Sequence, residues 1–183
     1  MEYLILFLPL IGSIISGFFG KQIGHRNSEI LTSSFLSISA LLSLIIFYKV
    51  ITQNYTNDIV IATWINSGSL NVNWSIQIDT LSSLMLVVVT LISAIVHIYS
   101  IGYMSHDPHK PRFMAYLSLF TFAMLMLVTS DNFIQLFFGW EGVGLCSYLL
   151  IGFWFKRETA NNAAIKAFIV NRIGDFGLAI GIF

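Results

Sequence analysis

The stretch FFGWEGVGLCSYLLIGFWF, residues 137–155, decides the class of fold because it is long and apolar enough to cross a membrane. A helix of about 20 apolar residues spans the hydrocarbon core of a bilayer. One carboxylate, Glu141, interrupts this run. A charged side chain at the centre of a membrane helix costs about 2.5–3.5 kcal/mol. We therefore expect Glu141 to have a partner or a function.

The chain as a whole has the composition of a polytopic membrane protein. Of its 183 residues, 56% are hydrophobic and 10% are charged, and the mean hydropathy is +0.81. The formal net charge is zero, so the lipid bilayer, and not nucleic acid, is the expected surrounding. The single cysteine, Cys146, has no partner for an intrachain disulfide. We expect it to be a small packing residue.

Six apolar segments predict six transmembrane helices in one domain, residues 1–183. Each segment is near the length needed to cross the hydrocarbon core. The predicted helices cover residues 3–20, 30–50, 81–103, 113–130, 133–155 and 160–183. The expected fold is therefore all-α and polytopic, with about six transmembrane helices.

The long connector between the second and third predicted helices carries a strand pattern. In LNVNWSIQID, residues 70–79, apolar and polar side chains alternate, and the turn NSGS, residues 66–69, follows the stretch IVIATWI. Period-two alternation beside a turn predicts a short β-hairpin, here over residues 57–79. We expect the hairpin on the outer surface. It is either a docking element for a neighbouring subunit or a cap on the helix ends.

The basic residues predict the orientation of the chain in the membrane. The connectors after the first, third and fifth helices carry Lys or Arg, whereas those after the second and fourth carry neither. By the positive-inside rule, the N-terminus is on the outer side. The cations in the odd-numbered connectors are Lys21, Arg26, Lys110, Arg112, Lys156 and Arg157.

Four ionisable residues within the last two predicted helices are the candidate proton path. At 1.5 Å per residue, Glu141 and Arg172 both lie about 12 Å from the outer face, although their helices run in opposite directions. Asp175 shares a helix face with Arg172 at i, i+3. Lys166 lies roughly 120° around that helix and either takes part in conduction or extends to the interface. Proton or ion handling and a structural salt bridge are the two interpretations of Glu141 and Arg172.

The fifth predicted helix also carries a stripe of small residues beside the acid. Glu141, Gly144, Tyr148 and Gly152 fall within about 80° of one another around the helix axis. Glycines at such positions leave room for another helix, or for water, close to the carboxylate. A carboxylate between a desolvating wall and a cation is suited to exchange protons.

The histidines are weaker candidates. We expect His97, near the inner end of the third helix, to be a structural or surface residue rather than a proton relay. His106 and His109 flank Asp107 and Pro108 in a loop, and two such donors are poor evidence for a metal site. The sequence has no phosphate-binding loop, nucleophile triad or redox-cofactor motif. We therefore predict no catalytic, cofactor-binding or metal-ligating residue in this chain.

Four segments resemble the antiporter-like subunit 5 of respiratory complex I, NADH dehydrogenase, and the similarity extends over essentially the whole chain. They are VHIYSIGYM (96–104), SHDPHKPRFMAYLSLF (105–120), TSDNFIQLFFGWEGVGLCSYLLIGFW (129–154) and KAFIVNRIGDFGLA (166–179). The resemblance implies the N-terminal part of the antiporter-like fold. It also implies that Glu141 is an ionisable residue of a proton path, and that Arg172 and Asp175 serve its coupling.

The same resemblance implies a membrane-arm subunit of a proton-pumping NADH:quinone oxidoreductase, an enzyme of the translocase class, in a bacterial cytoplasmic or mitochondrial inner membrane. NADH, FMN, iron–sulfur clusters and quinone would be bound by other subunits, and the partners would be other membrane-arm subunits. Family members are several times longer and supply further helices, including a lysine partner for the glutamate. A cation/proton antiporter large subunit and a non-conducting structural or assembly fragment remain the alternatives.

Overall fold

The computed structural model describes residues 1–68 and 70–183, and this part of the chain contains six helices and one two-stranded antiparallel sheet. The elements are α1 (Glu2–Ile23), α2 (His25–Gln53), β1 (Asn57–Ser67), β2 (Leu70–Ile78), α3 (Thr80–Tyr103), α4 (Lys110–Val128), α5 (Phe133–Ile151) and α6 (Glu158–Ile182). This order confirms the predicted all-α fold with one hairpin between the second and third helices. The predicted turn includes Ser69, which lies outside the described residues.

Five of the helices, α1 to α5, are long and apolar enough to cross a membrane. The sixth predicted span is also helical, but α6 is not among these five. Its sequence contains three asparagines together with Lys166, Arg172 and Asp175, which lower its hydropathy. Where α6 packs along α5, Arg172 and Asp175 have polar partners on that helix.

Several helix ends differ from the predicted ones because hydropathy marks the apolar segment and not the hydrogen-bonded helix. α2 begins at His25, directly after Gly24, whose φ of +88° favours glycine. α4 begins at Lys110, with a proline in its first turn, where the missing N–H costs nothing. α5 ends at Ile151 instead of residue 155, because Gly152 forms its C-cap.

Buried hydroxyl groups connect the helices to one another. Ser13 Oγ donates to the carbonyl oxygen of Ala115 at 2.8 Å, which joins α1 to α4. The hydroxyls of Ser43 and Thr90 lie 2.8 Å apart and join α2 to α3. Lipid tails are as apolar as the helix surfaces, so small side chains and interhelical hydrogen bonds replace the hydrophobic effect in holding such helices together.

The hairpin packs on the helix ends through one face of β2. Ile76 and Ile78 are buried in a cluster with Leu6 of α1 and Leu125 of α4. The alternation predicted for β2 is therefore correct on this face. Since the apolar face of β2 closes the helix bundle, the hairpin acts as a cap. Docking of a neighbouring subunit stays a prediction.

The outer edge of β2 is paired with the α4–α5 corner instead of with a third strand. The side chain of Gln135 accepts a hydrogen bond from the N–H of Ser75 at 2.9 Å and donates one to its carbonyl oxygen at 2.7 Å. The N–H of Gln77 donates to the carbonyl oxygen of Thr129 at 2.9 Å. An unpaired sheet edge is thereby satisfied, and the beginning of α5 is fixed relative to the hairpin.

Candidate functional site

Two close contacts fix the position of α5, the helix that carries Glu141. The side chain of Asn132 caps its first turn by accepting a hydrogen bond from the N–H of Gln135 at 2.8 Å. Seven residues after the cap, Gly139 lies so close to α4 that a Cβ there would be 2.7 Å from the Cα of Leu127. The cap and this contact together therefore hold the backbone that carries Glu141 in place.

The predicted glycine and tyrosine stripe of α5 faces α6. The four positions meet successive turns of the neighbouring helix, so the stripe makes room for a second helix, as the sequence indicated. Along this contact Glu141 bonds to Arg172, Gly144 lies next to Asn171, the ring of Tyr148 is 5.3 Å from that of Phe168, and Gly152 lies next to Ala164.

Three of the four predicted site residues form one ion cluster between α5 and α6. Nη1 of Arg172 donates a hydrogen bond to Oε2 of Glu141 and lies 3.6 Å from Oδ2 of Asp175. The side chain of Glu141 is 23% exposed and that of Asp175 is 9% exposed. When both acids are ionised, two carboxylates share one guanidinium. The cluster therefore has a formal charge of −1.

Two aromatic residues that the sequence did not single out complete this cluster. The indole N–H of Trp140 donates to Oδ1 of Asp175 at 2.7 Å, and the guanidinium of Arg172 lies 4.7 Å from the centre of the Phe168 ring. Such a cation–π contact orients a guanidinium without neutralising it. Phe168 lies four residues before Arg172 on α6, a spacing from which this contact could have been predicted. Trp140 has no such signal, because its contact with Asp175 joins two different helices.

Lys166, the fourth candidate, lies apart from this cluster. Its side chain is exposed on α6, and none of the ion pairs within the described residues includes it. Because both residues lie on α6, their six-residue spacing puts Lys166 roughly 120° from Arg172 around the helix. A role of Lys166 in proton movement stays a prediction.

His97 and Cys146 are both buried. His97 is 0% exposed, with Nδ1 2.8 Å from the carbonyl oxygen of Ser93 and Nε2 3.0 Å from the hydroxyl of Ser118. The surface alternative for His97 was therefore wrong, and it is a packed histidine between α3 and α4. Cys146 is 2% exposed, as expected for a packing residue.

An ion pair between α2 and α4 was not predicted. Glu29 of α2 is 4% exposed, and its Oε1 lies 3.5 Å from Nζ of Lys110 at the start of α4. Both residues precede their predicted apolar segments, so hydropathy assigned them to connectors. The only signal in the sequence is that each lies within one turn of an apolar run.

Two family models match the chain. One, described as NADH-Ubiquinone oxidoreductase (complex I), chain 5 N-terminus, matches residues 64–114. The other, described as NADH:quinone oxidoreductase/Mrp antiporter, TM, matches residues 130–183. The second range contains every residue of the α5–α6 ion cluster.

Curated relatives match over the whole chain. The chain is 58% identical over 183 residues to NADH-ubiquinone oxidoreductase chain 5 of Triticum aestivum and covers 27% of it. It is 59% identical over 182 residues to the protein of the same name from Arabidopsis thaliana, with 100% of this chain and 27% of that protein covered. NADH-quinone oxidoreductase subunit L of Rickettsia bellii (strain RML369-C) is 54% identical over 179 residues, which are 98% of this chain and 28% of that protein. The chain thus spans about a quarter of the length of these relatives.

A solved structure shares the fold. It is described as the structure of the membrane-bound sulfane sulfur reductase (MBS), an archaeal respiratory membrane complex, and the TM-score is 0.73 at 21% sequence identity. The match covers 98% of this chain and 36% of that one. Together with the five helices that can span a membrane, these matches make the protein an integral membrane protein. The chain belongs to the chain 5 family of NADH-ubiquinone oxidoreductase, complex I.

Proposed function

We propose that this chain supplies part of a proton-translocation path in a membrane-arm subunit of a proton-pumping NADH:quinone oxidoreductase. The observation that carries the proposal is the ion cluster in which Arg172 contacts both Glu141 and Asp175. Two carboxylates around one guanidinium, inside helices matched by an antiporter-type family model, are suited to proton exchange. Membrane-embedded ionisable residues of this kind mark ion pathways.

The cluster suggests how a proton would be taken up and passed on. A guanidinium stays protonated under all physiological conditions, so the carboxylates are the groups that titrate. The attraction of Arg172 to Glu141 depends on the ionised form of that carboxylate. Protonation of Glu141 removes that attraction, and Arg172 then turns toward Asp175, 3.6 Å away. A change in the charge of one acid is thereby transmitted to the other.

The surroundings of this path follow from the same proposal. NADH, FMN, iron–sulfur clusters and quinone belong to other subunits of the complex, and other membrane-arm subunits are the partners. The N-terminus lies on the outer side of a bacterial cytoplasmic or mitochondrial inner membrane. This orientation follows from the positive-inside rule. One contact supports its premise, because the hydrogen bond from Ser16 in the second half of α1 to the backbone of Pro111 in α4 puts the connectors after α1 and α3 at the same end of the helices.

The test is Glu141→Gln in the complete complex, with proton transport and NADH oxidation measured in the same vesicles. We expect fewer protons transported per NADH oxidised, because the amide keeps the shape of the side chain but no longer titrates. Glu158→Gln is the matched control, since Glu158 is an exposed acid in the first turn of α6. Unchanged transport by Glu141→Gln would refute the assigned role.

Two alternatives have a specific observation in their favour. The family model over residues 130–183 also names Mrp antiporters, and an antiporter would exchange cations for protons in vesicles without NADH. The direct bond between Glu141 and Arg172 also suits a structural salt bridge. If pairing is the only role, replacing both residues together by a packed Leu and Met pair leaves proton transport intact. A proton site loses transport in that double variant.

A further inference from the structure

A cavity of about 440 Å³ lies where α4 begins, α5 ends and α6 begins. Arg112 and Asn161 line one part of it, and the apolar side chains of Leu149 and Ile165 line another. A second cavity of about 240 Å³ adjoins it and shares Arg112, Phe153 and Phe155 with it. Its volume and mixed lining place the larger cavity in the range of specific ligand sites.

The guanidinium of Arg112 is held in place between the two cavities. Its Nη2 donates to the carbonyl oxygen of Phe153 at 2.9 Å. Its Cζ lies 4.6 Å from the centre of the Phe153 ring and 5.3 Å from that of Phe155. These contacts orient the planar group without neutralising it.

Most of the hydrogen-bonding capacity of Arg112 remains free. A guanidinium has five N–H donors, and Nε of Arg112 is buried without a hydrogen-bond partner in the described part of the chain. No acid in that part forms an ion pair with it. The nearby carboxylate of Asp107 is engaged elsewhere, since it accepts hydrogen bonds from the indole N–H of Trp154 at 3.0 Å and the N–H of His109 at 2.7 Å. A guanidinium that is held in one orientation and not paired with a carboxylate is suited to bind a phosphate.

The smaller cavity extends the positive charge to the surface of the molecule. Lys156 and Arg157 line it, and the guanidinium of Arg157 lies 5.5 Å from the centre of the Trp154 ring. Trp154 is 37% exposed and Phe155 is 53% exposed. Exposed aromatic and basic residues at the end of membrane helices are typical of the headgroup level of a bilayer, and basic pockets between such helices bind anionic headgroups.

We propose that the two cavities bind one anionic phospholipid. Its phosphate lies against Arg112, with Lys156 and Arg157 around the headgroup, and an acyl chain runs along Leu149 and Ile165. The apolar wall favours a lipid over free phosphate, because inorganic phosphate gains nothing from apolar contacts. This site does not depend on the proton role proposed for Glu141, which is not among the residues that line either cavity.

The test adds phosphatidylglycerol or phosphatidylcholine to the purified complete complex in detergent. Native mass spectrometry then counts the lipid molecules bound to the complex. We expect Arg112→Gln to bind phosphatidylglycerol about tenfold more weakly, as follows from the loss of a charge-assisted hydrogen bond to phosphate. Arg26→Gln is the matched control, because Arg26 is an exposed cation that lines neither cavity. Its phosphatidylglycerol binding should equal that of the wild type.

Three results would overturn the proposal: equal binding by Arg112→Gln and the wild type, equal occupancy by phosphatidylcholine, or displacement of the lipid by millimolar inorganic phosphate. The last would reassign the cavities to a free phosphate anion. If Arg112→Gln fails to assemble, the double variant Lys156→Gln/Arg157→Gln replaces it, since both side chains are exposed on the connector. That variant should bind phosphatidylglycerol several-fold more weakly, and wild-type binding would again contradict the site.

Discussion

Gly139→Ala tests how tightly α5 packs against α4. A Cβ at Gly139 would lie 2.7 Å from both Cα and N of Leu127, and ordinary van der Waals contact begins at 3.4 Å. Because the opposing atoms belong to the backbone, Gly139→Ala must separate the two helices by about 0.7 Å, the difference between these two distances. No side-chain rotation can relieve the clash.

The magnitude follows from two opposing effects. Overpacking of a well-packed interface costs about 1–3 kcal/mol, and alanine regains roughly 0.5–1 kcal/mol over glycine within a helix. The net loss of about 0.5–2 kcal/mol raises the unfolded fraction roughly 2–30-fold. It also displaces Glu141, two residues along α5, so proton transport should fall together with stability.

The assay is unfolding of the purified full-length protein by SDS in mixed micelles, followed by tryptophan fluorescence. Gly144→Ala is the matched control on the same helix, because the nearest atom to its added Cβ would be Nδ2 of Asn171 at 4.0 Å. We expect Gly144→Ala to be as stable as the wild type or slightly more stable. Equal stability of Gly139→Ala and Gly144→Ala would show that the close contact between α4 and α5 is not rigid, and would refute the reasoning.

Two further predictions concern the hairpin and the start of α3. Gln135→Ala leaves the N–H and carbonyl oxygen of buried Ser75 unpaired, so the protein should lose about 1–3 kcal/mol of stability per group. Amide hydrogen exchange in β2 should become faster, and unchanged exchange would contradict the edge pairing. Asp79→Ala removes the cap of α3 and should cost about 1 kcal/mol. The hydrogen bond from the N–H of Ser82 holds the pKa of Asp79 below its ordinary value of 3.8. The cap is therefore at full strength above that value and weakens as the pH falls through the lowered pKa, which a stability titration of wild type against Asp79→Ala measures.

The charged positions of the candidate site followed from the sequence because helical rise is regular. Counting 1.5 Å per residue from both helix ends places Glu141 and Arg172 at equal depth, and the structure brings them into contact. The spacing of Arg172 and Asp175 also implied a shared face, and they lie 3.6 Å apart. Nothing in the sequence predicted the hydrogen bond from Trp140 to Asp175, because that bond depends on how α5 and α6 are turned about their axes relative to each other.

The hairpin also has one feature that the sequence predicted and one that it did not. Alternation along β2 predicted a strand with one apolar face, and that face is buried against the helices. Whether this strand would cap the bundle or offer its edge to another subunit was open, because a strand pattern carries no information on what pairs with its edge. The side chain of Gln135, 60 residues away along the chain, pairs with that edge.

By itself, the sequence determined the properties that depend on short-range periodicity and composition. These are the membrane-spanning helices, the strand pairing, the stripe of Glu141 and Gly144, and the family. Tertiary structure alone decided which buried charges meet, because ion pairs such as Glu29 with Lys110 join residues far apart in the chain. It also decided where cavities remain. Arg112 looked like one more cation of a connector until the packing of α4, α5 and α6 enclosed its guanidinium beside Phe153.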